Sequence, residues 1–221
     1  MHLLSVSSDA KTIKGEKRGY LTGILYLLPS KLLCPGCTAG CRKVCLVSAG
    51  RGKMKCVNKA RARKTRMFLK QLDLFKRFLI EDIKALKIRA EHKGFTPCVR
   101  LNGTSDIDIE KTFGDILEMF PEVQFYDYTK VWQRSVIYPN YHLTYSRSEK
   151  TPLRLIKLFI WHKYNVAVVF DKVPKTWEGM KVVVGDDTDL RFLDPEGVIV
   201  GLTAKGKAKK DTTGFVVRTE Q

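Results

Sequence analysis

Three observations predict an α/β fold, a single domain of repeated strand–helix units with a mostly parallel sheet wound into a partial or closed (β/α) barrel. Apolar, strand-like runs recur along the 221 residues with helical stretches between them. Most of these runs are almost continuously apolar, as in strands buried on both faces. The polar, chemically able residues gather just after the runs, where α/β sheets carry their sites. No Ser/Gly-rich linker divides residues 1–221.

Residues 1–18 read as a polar lead-in, with Lys11, Lys14, Lys17 and Arg18 available for phosphate. Residues 19–28 form a buried strand stopped by Pro29. A cysteine-rich metal loop, residues 34–56, hangs from its end. The spacing of Phe68, Leu72, Phe75, Leu79, Ile83, Leu86 and Ala90 predicts one helix over about 58–92. Strands follow at 98–102, 123–127, 141–145, 165–170, 181–184 and 197–201, with helices around 113–120 and 153–160. Pro121 closes the first of these helices. Residues 203–221 read as a basic C-terminal tail.

The loop carries Cys34, Cys37, Cys41 and Cys45 in the spacing C-x2-C-x3-C-x3-C. Pro35, Gly36 and Gly40 keep it from becoming a regular helix. Structural zinc usually pairs two knuckles across a longer spacer, whereas compact loops suit iron–sulfur clusters. An iron–sulfur cluster, 4Fe-4S by type, is therefore the leading expectation, with zinc as the alternative and free thiols or disulfides behind it. Cys56 is a further candidate ligand. No run is apolar enough to span a bilayer, and residues 1–18 lack the apolar core of a signal peptide. A cytoplasmic, reducing setting without membrane contact is expected, where cysteines serve as ligands rather than staples.

Charge points to the partner. Forty Lys and Arg against 23 Asp and Glu give +17, a surplus that polyphosphate would neutralise. From Lys53 to Lys70 there is no acid at all. Arg51, Lys53, Lys55, Lys59, Arg61, Arg63, Lys64 and Arg66, with Lys205, Lys207, Lys209 and Lys210, form the expected contact to DNA or RNA. The strand ends supply the remaining candidates. Asp106, Asp127, Lys130, Arg147, Glu149, Asp187 and Asp189 are candidate catalytic groups, and Asn102, Gly103 and Ser146 candidate cofactor contacts. The Gly201–Ala208 stretch misses the phosphate-binding P-loop, because Ala208 stands where the magnesium-binding hydroxyl belongs. His142 and His162 fall in a predicted strand and helix and read as packing residues.

Several stretches resemble a known family. They are Tyr-Leu-Thr-Gly-Ile-Leu at 20–25, Cys34-Pro with Gly40-Cys41 and Cys45, and Ser-Ala-Gly-Arg-Gly at 48–52. Arg-Leu-Asn-Gly-Thr-Ser-Asp-Ile at 100–107, Phe-Tyr-Asp-Tyr-Thr-Lys at 125–130, Asn-Val-Ala-Val-Val-Phe at 165–170 and Asp-Leu-Arg-Phe-Leu-Asp-Pro at 189–195 complete the set. Together they are similar to the bacteriophage gene product 88 family, which implies a phage protein in the host cytoplasm. The resemblance implies a three-thiolate site of Cys34, Cys41 and Cys45, with Cys37 additional. A weaker similarity in layout is to radical SAM enzymes, and it implies S-adenosylmethionine near Asn102, Gly103 and Ser146, although C-x3-C-x2-C is absent. The expected function is a metal-dependent enzyme modifying a base or nucleotide. The alternatives are a non-enzymatic nucleic-acid binder with a stapled loop, and a base-exchange enzyme resembling transglycosylases.

Overall fold

A computed structural model describes residues 1–7 and 10–219. Nine strands form one open sheet in the order β1-β2-β3-β4-β5-β6-β9-β8-β7. They are β1 (Leu4–Val6), β2 (Tyr20–Leu25), β3 (Thr96–Arg100), β4 (Gln124–Thr129), β5 (Tyr141–Ser146), β6 (Val166–Phe170), β7 (Thr176–Trp177), β8 (Met180–Val184) and β9 (Ile199–Thr203). All neighbours are parallel except the edge pairs β1–β2 and β7–β8. The helices are α1 (Ala10–Glu16), α2 (Ala39–Lys43), α3 (Lys55–Lys70), α4 (Leu72–His92), α5 (Ile109–Met119) and α6 (Leu153–Trp161). The expected α/β sheet is present, as an open rather than a closed barrel. Among the described residues no helix is long and apolar enough to cross a membrane.

Strand alternation explains the layers. Leu21, Leu25, Val99, Phe125, Leu143, Val166 and Val168 join Phe75, Leu79, Ile83 and Leu86 of α4, Phe113, Ile116 and Leu117 of α5, and Ile156 of α6 in one core. On the opposite face, Cys98 and Tyr126 pack with Tyr20, Leu190 and Phe192. The segment between β8 and β9 therefore folds across this face. With the strands parallel, the loops after β2, β3, β4 and β5 emerge at one end, where the candidate site lies.

Three expected boundaries change. The lead-in is part of the sheet: β1 pairs with β2, and Leu3 is fully buried. Asp82 of α4 accepts the backbone N–H groups of Leu3 and Leu4 at 2.5 and 2.9 Å. Ser8 and Asp9 lie outside the described residues. The single helix of 58–92 is two helices broken at Gln71 (φ −146°, ψ 56°). The break lets Phe68 and Phe75 both reach Phe113, with ring centroids 6.1 and 6.2 Å away. Finally, residues 203–219 are no loose tail. Ala208, Phe215 and Val216 bury against Val44, and Val217 bridges to Phe170. Glu220 and Gln221 lie outside the described residues.

Phe75 is fully buried and joins α3, α4 and α5. Phe75→Ala is expected to cost about 3–5 kcal/mol of stability through lost burial and the cavity left behind. Urea unfolding measures it, and a loss below about 1 kcal/mol would contradict this account of the core.

Candidate metal centre and nucleic-acid interface

The cysteine loop is pressed onto the ends of the strands by side chains from their loops. Thr38 caps α2, its hydroxyl accepting from the Cys41 N–H at 3.2 Å and donating to Glu149 Oε2 at 2.7 Å. The Gly40 N–H donates to Glu149 Oε1 at 2.8 Å. A Cβ on Gly40 would lie 2.6 Å from both the Glu149 carboxyl carbon and Thr213 Oγ1, so only glycine permits this approach. At the other side of the loop, the Asp106 N–H donates to the Leu33 carbonyl at 2.7 Å.

Cys34, Cys37, Cys41 and Cys45 are half-buried and free. Burial pushes the Cys34 thiol up to about 11, with Asp106, Cys37 and Cys45 adding to the rise. Burial also raises Cys41. Lys130 opposes that rise, while Cys45, Cys37 and Glu149 reinforce it. The four sulfurs thus share one neighbourhood, although among the described residues no three Cys, His, Asp or Glu groups already form a ligand set. Cations stand close: Arg42 Nη1 lies 3.8 Å from Cys37 Sγ, and Lys130 bears on Cys41. Cys56 is exposed, and Cys98 is buried against Thr22 on the face opposite the main core.

The candidate catalytic groups divide by what they already hold. Asp106 Oδ1 accepts from Thr129 Oγ1 at 2.8 Å and Arg134 Nη1 at 2.7 Å, and Oδ2 accepts from the Lys130 N–H at 2.9 Å. Burial raises this carboxyl, with Arg134 foremost among the groups opposing the shift. Asp127 is fully buried where β3 leaves β4, and its Oδ1 takes the Asn102 N–H at 2.7 Å. Asp189 pairs with Arg100 at 2.7 Å, with the guanidinium over the Tyr128 ring. Asp187 is exposed. Arg147 donates to the carbonyls of Gly214 and Phe215, fastening the C-terminal segment over the loop. Lys130 keeps an outward task, its Nζ donating to Ser146 Oγ at 2.7 Å and lying over the Phe215 ring.

The candidate cofactor contacts behave similarly. The Asn102 side chain donates to the Ile107 carbonyl and accepts from Ser105 Oγ and the Ile107 N–H. A Cβ on Gly103 would lie 2.7 Å from the Leu25 carbonyl oxygen, so this glycine serves close packing of two strand ends.

The two basic stretches meet. Gly206–Lys210 forms a 3-10 turn against the 48–52 turn, with the Lys207 N–H 3.4 Å from Ser48 Oγ. Lys53, Lys55, Lys59, Arg63 and Arg66 are exposed along α3 and the turn before it, as are Arg51, Lys207, Lys209 and Lys210. Lys205 is paired to Asp186 at 2.8 Å. Two residues turn inward instead: Lys64 donates to the Leu3 carbonyl at 2.6 Å, and Arg61 is buried over the Tyr26 ring.

The gene product 88 family model matches residues 2–219. The chain belongs to this phage protein family. No curated protein and no solved structure matches it. In this gene product 88 protein, sequence reasoning missed Arg134 and Arg100, the cations that neutralise Asp106 and Asp189. Arg100 stood inside a motif of the family resemblance, but Arg134 lies in a stretch without periodicity and gave no signal.

Asp127 generates a pH prediction. Burial pushes its carboxyl up to about 8, although Arg100 and the N–H groups of Asn102 and Leu101 favour the charged form. Between about pH 4 and 8 the folded chain then holds a proton that the unfolded chain has released. This group therefore makes stability fall as pH rises, by up to about 1.4 kcal/mol per pH unit. Asp127→Asn is expected to flatten that slope in urea unfolding across the window. A variant with the wild-type slope would contradict the assignment.

Proposed function

We propose that this protein acts on DNA or RNA in the cytoplasm of an infected cell, as an enzyme modifying a base or nucleotide beside an iron–sulfur centre held by its cysteine loop. The observation carrying the proposal is the gathering of four half-buried thiols at the carboxyl ends of parallel strands, beside Lys130 and Ser146. A basic face adjoins them. Soft thiolate donors ringed by cations suit such a centre. Cys34, Cys41 and Cys45 would hold it, with Cys37 as a fourth donor, and once bound it supplies electron transfer or Lewis acidity.

Lys130 is the group best able to orient a substrate oxygen or move a proton, because its Nζ reaches the Ser146 hydroxyl beside the cysteine loop. Glu149, Asp106 and Arg147 position the loop and its cover. The residues do not fit S-adenosylmethionine as expected: Asn102 is closed on its own loop and Gly103 is packed against Leu25.

One observation favours the second reading, a non-enzymatic binder with a zinc- or cluster-stapled loop. Asp106, Asp127 and Glu149 all engage backbone N–H groups, as scaffold carboxylates do. Protein purified without oxygen separates the readings. Stoichiometric iron and sulfide, lost in the Cys34→Ser, Cys41→Ser and Cys45→Ser variants, supports a cluster, and a Lys130→Met variant that keeps nucleic-acid binding but loses function in the infected cell supports the enzyme over a cluster-stapled binder. Colourless protein with one zinc supports the staple.

The basic face makes its own prediction. Lys59→Gln, Arg63→Gln and Arg66→Gln together should weaken binding uniformly across sequences and lower the slope of log affinity against log salt by about 2 to 3. An unchanged slope would show that this face does not meet phosphate.

A further inference from the structure

On β4 and β5 the face opposite the main core is polar. Phe125, Tyr141, Leu143 and Tyr145 belong to the core, and the residues alternating with them are Tyr126, Tyr128, His142, Thr144 and Ser146. The parallel register sets Tyr126 beside His142 and Tyr128 beside Thr144. Arg100 of β3 lays its guanidinium 4.7 Å from the Tyr128 ring centroid. Lys130 ends this strip against the cysteine loop. A Cβ on Gly36 would lie 2.9 Å from Lys130 Cβ, and Lys130 Nζ donates to Ser146 Oγ at 2.7 Å.

Three features set the strip apart from a packing surface. Tyr126 is fully buried, yet its hydroxyl has no hydrogen-bond partner. Arg100 Nε is likewise buried and unpartnered, 4.0 Å from Asp127 Oδ1. Polar groups left this way are costly, and native folds rarely keep them without a partner. Lys130 pairs with no carboxylate among the described residues; its ammonium meets the Ser146 hydroxyl and lies 5.5 Å from the Phe215 ring centroid. Finally, Tyr128, His142, Ser146 and Lys130 are only half-buried, so solvent reaches the strip.

We infer that this strip binds a free nucleoside monophosphate, its phosphate on Lys130 and Ser146, its base along Tyr128, and the base edge at the Tyr126 hydroxyl. An ammonium without a counter-ion, beside a hydroxyl, suits phosphate oxygens. The Tyr128 ring and the guanidinium over it suit stacking of a base. The unused Tyr126 and Arg100 donors suit the acceptors of a base edge. From Tyr126 to Lys130 the chain rises about 13 Å, room for one nucleotide laid along it. The inference rests on the proposed function and deepens it, because a free nucleotide becomes the small-molecule substrate beside the cysteine loop while the basic face holds the polymer.

The test is calorimetric titration of the full chain with each common ribonucleoside 5′-monophosphate and with inorganic phosphate, for wild type, Tyr126→Phe and Lys130→Met. At least one monophosphate is expected to bind wild type. Tyr126→Phe should weaken that nucleotide about tenfold and leave inorganic phosphate unchanged. Lys130→Met should weaken both, by about 10- to 100-fold; Ser146→Ala takes its place if that variant does not fold. A wild type that binds nucleic acid but no monophosphate at millimolar concentration would overturn the strip as a site and leave the proposed function standing. Nucleotide binding that survives Tyr126→Phe and Lys130→Met but is lost with Lys59→Gln, Arg63→Gln and Arg66→Gln would move the nucleotide to the basic face and overturn the inference. A chain that binds neither nucleotide nor nucleic acid would overturn both.

Discussion

Carboxylates that accept backbone N–H groups hold the working end of this protein together. Each loop at the carboxyl end of the sheet must satisfy polar backbone groups that no neighbouring strand can reach. Asp127 takes the Asn102 amide where β3 departs, Asp106 takes Lys130, Glu149 takes Gly40, and Asp211 takes Val216 and Thr213. The Asp211 bonds are local turns, but Glu149 and the Asp106 backbone reach the cysteine loop from more than 60 positions downstream. Where the carboxylate is ionised, as at Glu149 and Asp211, which are both held below the usual carboxylate range, such charge-assisted bonds are stronger than neutral ones. Breaking the buried Asp106–Arg134 pair would leave an uncompensated charge beneath the loop.

The same constraint reshapes the functional reading. Residue types that chemistry uses as acids and bases here fasten the scaffold, and what is not spent on backbone groups at this end is sulfur, Lys130 and the serine it contacts. The segment after β9 is held against this end by Arg147 and by the bridge from Phe170 to Val217. Its basic turn meets the turn that follows the cysteine loop, so one charged surface borders the thiols. A polyphosphate lying on that surface would pass beside the thiols.

Much of this was legible in the residues. Continuous apolar runs such as 166–170 announce parallel strands, and placing polar clusters after them brings Asp106, Lys130, Ser146 and Glu149 to one end. Other features were not legible, for physical reasons. Phe68 and Phe75 are seven residues apart and fit one uninterrupted helical stripe, whereas the break at Gln71 answers to Phe113, a tertiary partner. The insertion of β9 between β6 and β8 leaves no local trace. Asp106 and Glu149 could not be recognised as anchors, because the backbone N–H they bind carries no side-chain signature. Arg61 shares its charge with every basic neighbour on α3, and only docking of that helix on Tyr26 sets it apart.

The central claim is that the thiols of Cys34, Cys41 and Cys45 converge on one metal centre while Cys56 stands outside it. Residue-resolved alkylation of native protein, purified without oxygen and treated before and after chelation, tests this most directly. The account predicts rapid modification of exposed Cys56 in both states, with Cys34, Cys41 and Cys45 protected until the metal is stripped. Modification of those three at the same rate with and without chelator would contradict it.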